Sequence, residues 1–133
     1  MRNVIPERIA ALGLLILLSL TILFHMLIIV GVIPFAIVWG GRLQDDAQMI
    51  FFEVISLVIN AAMVGVVRMR MGWSAWNANP LFIKVALWIM VMLFALNTVG
   101  NLFSNNELER TIFTPLTFVL VILSFRLAMD VKK

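Results

Sequence analysis

Four long apolar segments alternate with short polar segments along the chain. The first runs from Ile9 to Trp39, and the later ones cover about 47–67, 81–103 and 111–129. A helix of about 20 apolar residues crosses the ~30 Å hydrocarbon layer of a bilayer and satisfies its own backbone hydrogen bonds there. The pattern therefore predicts an all-α, integral membrane four-helix bundle, with residues 1–133 forming a single transmembrane domain.

The first apolar segment is too long for one membrane-spanning helix. As a helix from Ile9 to Trp39 it would be roughly 46 Å long, well beyond the ~30 Å hydrocarbon layer. Gly31 and Pro34 interrupt it, and proline cannot donate to the carbonyl one turn earlier. We therefore expect the first span to cover about 9–33, with a break between Val30 and Pro34. Phe35 to Trp39 should then follow the membrane interface, where tryptophan is favoured.

Composition supports a membrane protein and excludes several classes of chemistry. Hydrophobic residues make up 63% of the 133 residues and charged residues 13%, which leaves a soluble domain of this size too little polar surface. The chain has no cysteine, so disulfides, thiolate metal sites and thiol catalysis are excluded. No phosphate loop, metalloprotease motif or Ser/His/Asp arrangement is visible. We therefore predict no catalytic residue, no metal site, no cofactor and no nucleic-acid partner, since the last needs a larger basic patch.

Basic residues are distributed unequally between the two sides that four spans would create. Cytoplasmic segments of membrane proteins carry the excess of Lys and Arg. We therefore expect an inner-membrane protein with both termini in the cytoplasm. Arg126 should extend its side chain toward the cytoplasmic interface of the membrane. The termini and the 68–80 connection would carry eight basic residues: Arg2, Arg8, Arg68, Arg70, Lys84, Arg126, Lys132 and Lys133. The other side would carry two, Arg42 and Arg110, with Asp45, Asp46, Glu107 and Glu109.

Each predicted span also carries a stripe of polar residues at helical spacing. Glu53, Ser56 and Asn60 stand at i, i+3 and i+7 in the second span, which is one face of a helix. Because lipid disfavours such groups, the stripes should converge in the bundle interior, mostly in its outer half. The other stripes are Thr21 and His25; Asn97, Asn101 and Ser104; and Thr114, Thr117 and Ser124.

Glu53 is the main candidate for function, because a carboxylate inside a membrane span costs roughly 3 kcal/mol or more. It could bind a ligand, a proton or a cation. It could equally form a structural ion pair, or a protonated carboxyl bonded to an asparagine. Arg42 is the preferred partner, with donors from the third span as the alternative. His25 should hydrogen-bond between helices, and with Glu53 it could form a proton-transfer pair. The predicted ligand-binding residues are Glu53, Arg42, His25, Asn60, Asn97 and Asn101.

Three short motifs resemble a group of small bacterial four-span inner-membrane proteins without an assigned function. They are Trp39-Gly40-Gly41-Arg42-Leu43, then Phe52-Glu53 with Ser56-Leu57 and Ile59-Asn60, and Asn97-Thr98-Val99-Gly100-Asn101. The resemblance covers most of the chain. It implies a bacterial inner membrane and adds no chemistry.

Three functions fit these observations. The first is binding or transport of a small polar or amphiphilic molecule at an outward-facing polar pocket. The second is a structural or accessory subunit that packs against another membrane protein. The third is an intramembrane enzyme, which the absence of a nucleophile motif disfavours. The expected partners are the lipid bilayer, a small ligand or lipid, and a second copy of the chain.

Overall fold

A computed structural model describes residues 3–35 and 44–131. The chain forms α1 (Glu7–Ile29), α2 (Asp46–Met71), α3 (Pro80–Leu102) and α4 (Thr114–Met129), and a π-helical turn (Glu109–Phe113) leads directly into α4. None of the described residues lies in a strand. All four helices, the last counted from Glu109, are long and apolar enough to cross a bilayer. The predicted all-α membrane four-helix bundle is thus confirmed, and the helix bounds differ from the predicted spans by about one helical turn at most.

The first helix ends where the sequence predicted a break. α1 ends at Ile29, and Gly31 adopts the left-handed conformation with φ of 87°. The N–H of Gly31 donates to the Ile28 carbonyl at 3.1 Å, and the N–H of Val32 donates to the Leu27 carbonyl at 3.0 Å. This pair of bonds is the Schellman arrangement, which satisfies the last carbonyls of a helix. Residues 36–39, predicted to follow the interface, lie outside the described residues.

Side chains and a left-handed glycine also mark the ends of α2. The Asp45 carboxylate accepts a hydrogen bond of 2.8 Å from the N–H of Gln48, which is a typical N-cap. At the other end Gly72 has φ of 72°, and the N–H of Trp73 donates to the Arg68 carbonyl at 2.8 Å. α2 therefore extends one turn beyond the predicted end at Val67.

The second helical hairpin begins at Asn79, whose side chain accepts a bond of 2.8 Å from the N–H of Leu81. Pro80 occupies the first position of α3, where its missing N–H costs nothing. At the start of α4, Pro115 has no N–H to donate to the carbonyl one turn back. The N–H of Thr114 bonds to the Glu109 carbonyl five residues earlier, so the helix begins with a π turn.

The helices pack as two hairpins, α1 on α2 and α3 on α4, which meet mainly through α1 and α4. Small side chains allow this central contact. A Cβ added at Gly13 would lie 3.0 Å from Leu123 Cδ1. We call the end with residues 3–6, 72–79 and 130–131 the terminal end, and the end with residues 30–35, 44–45 and 103–108 the far end.

Two apolar clusters fill the interior. The larger cluster includes Ala10, Leu14, Leu18, Val67 and Leu87, all with 0% exposure. A smaller cluster at the far end is built around Ile28 and Met49, and we call it the cap cluster. Between these clusters, on α1 and α2, lie His25, the single histidine of the sequence, and Glu53, which pair with each other.

Candidate functional site

His25 and Glu53 form a buried acid–base pair between the first two helices. His25 Nδ1 is hydrogen-bonded to Glu53 Oε2. Glu53 is 0% exposed, whereas the His25 side chain is 15% exposed. The prediction that Glu53 lies in the bundle interior is therefore confirmed. Among the described residues, His25 is a partner of Glu53. These are the two residues that the sequence suggested as a proton-transfer pair.

The pair can be neutral overall in two ways. A proton on the imidazole makes an ion pair with the carboxylate, and a proton on the carboxyl makes a neutral acid bonded to a neutral imidazole. Either form satisfies the buried oxygen without placing a net charge in the bilayer, which an unpaired carboxylate would do at high cost. The site can therefore hold and redistribute one proton across the interface between α1 and α2.

Aromatic side chains of the cap cluster separate the pair from the far end. Phe24, Phe35, Phe52 and Phe113 pack around Ile28 and Met49. Phe24 lies edge-on to the His25 ring with centroids 5.9 Å apart, and edge-on to Phe113 at 5.3 Å. Phe113 belongs to the π turn, so the segment that leads into α4 contributes to the enclosure of a site built by α1 and α2.

Ser56 and Asn60 continue the polar face of α2 from Glu53 toward the terminal end. Both are half-buried. The Ser56 hydroxyl donates to the Phe52 carbonyl at 3.0 Å, and Asn60 Nδ2 donates to the Ser56 carbonyl at 2.7 Å. These bonds remain within α2. The half-buried position of Asn60 places a polar group beside the interior, about two turns from Glu53.

The asparagines of α3 lie differently from the prediction. Asn101 faces α4, where its Nδ2 donates to Thr117 Oγ1 at 3.4 Å beside the Thr98–Thr117 hydrogen bond of 3.0 Å. Asn97 is exposed on the bundle surface, so the prediction that it lies in the interior is wrong. The packing of Met90 and Phe94 sets the rotation of α3, with both side chains buried. Arg42, the preferred partner of Glu53, lies outside the described residues.

Glu109, which the charge count placed on the side opposite the termini, is a second buried carboxylate. Glu109 is 5% exposed at the start of the π turn, and it accepts a hydrogen bond from the hydroxyl of Ser104, which is 8% exposed. Asn106 Oδ1 accepts from the N–H of Leu108 at 2.8 Å and from that of Glu109 at 3.4 Å. The spacing Asn106-x-x-Glu109 is that of a capping box, and this signal could have marked the helix start.

The terminal end holds an ion network that the stripe analysis missed. Arg126 is 4% exposed, and its guanidinium lies at the terminal end, where it bonds to other residues of the protein. Its Nε donates to the Ile5 carbonyl at 2.6 Å and its Nη1 to Asp130 at 2.5 Å. Arg70 donates to Glu7 at 3.0 Å. These bonds tie the start of α1 to the ends of α2 and α4, a structural role.

The residues of the candidate site do not make up a metal centre. In the described part of the chain no group of three or more His, Asp or Glu side chains is close enough to hold a metal ion. A zinc site needs at least three protein ligands, and the His25–Glu53 pair supplies two.

Comparisons of the chain with models of protein families, with curated proteins and with solved structures find no match. The interpretation of the site therefore depends on its own geometry.

Proposed function

We propose that the protein is a membrane-embedded binding or transport module for a small polar or amphiphilic molecule. The polar group of that molecule would interact with the His25–Glu53 pair. The observation that supports this proposal is the burial of Glu53 at 0% exposure inside a membrane span.

Stability alone does not account for such a pair. Replacing a buried ion pair with apolar residues of similar size is often neutral, or stabilises a protein by about 1–4 kcal/mol. Ionisable residues within spans most often serve ion, proton or substrate pathways. A carboxylate accepts hydrogen bonds and attracts cations, so an amine is the simplest ligand class that could compete with the imidazole for Glu53. His25, the more exposed member, would meet the ligand first.

The single histidine makes this proposal directly testable. Protein labelled with ¹⁵N-histidine and placed in lipid nanodiscs gives imidazole signals from His25 alone. We expect titration with dodecylamine to shift these signals saturably, and dodecanol of the same chain length to leave them unchanged. Glu53→Gln should abolish the response, whereas Glu107→Gln, which alters an exposed carboxylate, should keep it. An equal response in wild type and Glu53→Gln would refute the role of the pair.

We also propose that the protein lies in a bacterial inner membrane with the terminal end in the cytoplasm, because basic residues favour that side. The chain has no cysteine, so single cysteines report topology without background. Cysteines at Gln44 and Asn106 should react with an impermeant thiol reagent added outside, and cysteines at Ser74 and Lys133 should not. Reaction of the Ser74 variant from outside would reverse the assignment.

Exposed Asn97 supports a second candidate function, that of an accessory subunit or homo-oligomer. An amide on the lipid-facing side of a span gains from hydrogen bonds to another helix. A cysteine at Asn97 should then cross-link in native membranes to a product of defined mass. A cysteine at Val58 of α2, a residue that is 64% exposed, should not. Cross-linking absent from both variants would remove this candidate.

A further inference from the structure

A groove lies along the half of α2 that leads to the terminal end, and it begins about two turns from Glu53. It has a volume of about 370 Å³, within the range of about 300–1,000 Å³ that is typical of ligand sites. Its apolar wall is formed by Ala61, Val64 and Gly65 of α2, and its rim by Arg68, Ser74 and Trp76. The groove therefore has an apolar wall and one cationic side chain, Arg68, at its rim.

The position of the groove along α2 matches the boundary between hydrocarbon and headgroups. Gly65 lies within the apolar span, Arg68 one turn later, and α2 ends at Met71. Trp76 is 79% exposed, and tryptophan favours this interfacial layer. A molecule in the groove would thus have its polar part at Arg68 and its apolar part along the helix.

The chemistry of the rim fits a phosphate group. Arg68 is exposed, and a single Nη2 hydrogen bond of 3.2 Å to the Trp73 carbonyl orients its guanidinium. A guanidinium has five N–H donors, and its paired donors suit phosphate oxygens. The Ser74 hydroxyl accepts a bond of 3.1 Å from the N–H of Trp76, which leaves its own hydrogen available as a donor.

The charge of the terminal end selects a negatively charged headgroup. Among the described residues this end has five cationic side chains, Arg8, Arg68, Arg70, Lys84 and Arg126, and two carboxylates, Glu7 and Asp130. In the same described ranges, the far end carries Arg110 with Asp45, Asp46, Glu107 and Glu109. From this complementarity and the apolar wall, we propose that the groove binds one anionic phospholipid, with its phosphate at Arg68 and an acyl chain along Gly65.

Gly65 allows a specific test, because a Cβ built there meets no atom within 4 Å. A larger side chain would fill the groove without displacing the core. Gly100 of α3 is equally open and lies outside the groove, so Gly65→Leu and Gly100→Leu form a matched pair. Far-ultraviolet circular dichroism checks that both variants are helical. Ala61→Leu, at an exposed position of the same wall, replaces Gly65→Leu if the latter does not fold.

Native mass spectrometry with lipid added to the detergent-solubilised protein measures the binding. We expect wild type to retain one phosphatidylglycerol about fivefold better than phosphatidylcholine with the same acyl chains, since one basic residue near the surface contributes about that factor for an anionic lipid. Gly65→Leu should lose the retained lipid and Gly100→Leu should keep it. Arg68→Gln should remove the preference for phosphatidylglycerol.

Three results would overturn the proposal. The first is equal retention of the two lipids by wild type. The second is release of the lipid by excess inorganic phosphate, which would indicate a site for free anions. The third is a dimer that disappears in Gly65→Leu, which would mean that a second copy of the chain fills the groove.

Discussion

Removing the imidazole from the buried pair should destabilise the bundle strongly. In His25→Ala the carboxylate of Glu53, which is 0% exposed in the wild type, loses its hydrogen bond to the imidazole. Breaking a buried pair by removing one member costs about 3–5 kcal/mol. The edge-on contact between His25 and Phe24 is lost as well. We therefore expect the free energy of unfolding to fall by about 4 kcal/mol.

The cost should depend on the charge that remains. Glu53→Gln keeps the shape and hydrogen-bonding capacity of the side chain, so we expect it to cost about 1 kcal/mol. When His25→Ala is made in that background, the hydrogen bond that is lost was made to a neutral amide and not to a carboxylate. The double variant should therefore be more stable than the sum of the single effects predicts, by about 2 kcal/mol, within the range measured for residues in contact.

Unfolding in mixed micelles of increasing dodecyl sulfate content, followed by circular dichroism, measures these free energies. Thr21→Val is the matched control on α1. Its hydroxyl donates at 2.8 Å to the Leu17 carbonyl of its own helix, and the change should stay within about 0.5 kcal/mol. A cost below about 1 kcal/mol for His25→Ala, or strictly additive effects in the double variant, would refute the role of the pair as a buried electrostatic unit.

Two further pairs of variants test the packing. Arg126→Ala should cost about 3 kcal/mol in the same unfolding assay, because it removes a buried guanidinium from its carboxylates, whereas Arg110→Ala at an exposed position should change stability by less than about 0.5 kcal/mol. Gly13→Ala should destabilise by about 1 kcal/mol, since its Cβ would lie 3.0 Å from Leu123 Cδ1. Gly65→Ala, with no atom near its Cβ, should stabilise by up to about 1 kcal/mol through helix propensity.

Equal costs for the two arginine variants would contradict the structural role of the terminal-end network. Stabilisation by Gly13→Ala would show that the Leu123 side chain moves aside and that the gain in helix propensity exceeds the cost of this contact.

Local features of the sequence were sufficient to predict the four helices, and their ends to within about one turn. Length and hydropathy set the number of spans, because a backbone in lipid must bond to itself. Gly31 followed by Pro34 marked the end of α1, since the left-handed conformation at Gly31 and the missing N–H of proline act within one turn. The burial of Glu53 was also predictable, because the cost of exposing a carboxylate to lipid does not depend on which helix covers it.

Tertiary structure decided which polar side chains face the interior and which partners they bond to. Asn97 and Thr98 are adjacent, yet one is exposed and the other bonds to Thr117, because neighbouring residues of a helix differ by about 100° in direction. The rotation of α3 about its own axis decides which of the two faces α4. That rotation is set by how the apolar side chains of α3 fill the spaces on α4.

Sequence distance explains the remaining differences. The bond from Arg126 to the Ile5 carbonyl joins residues 121 positions apart, and the His25–Glu53 bond joins residues 28 apart on different helices. No local signal encodes either contact. Together they need the first helical segment to pack against α2 and against α4 at once. The small residues Ala10, Ala11 and Gly13 permit this packing. The polar residues that the bundle must bury could thus be recognised from the sequence, whereas the partner of each depends on how the helices pack.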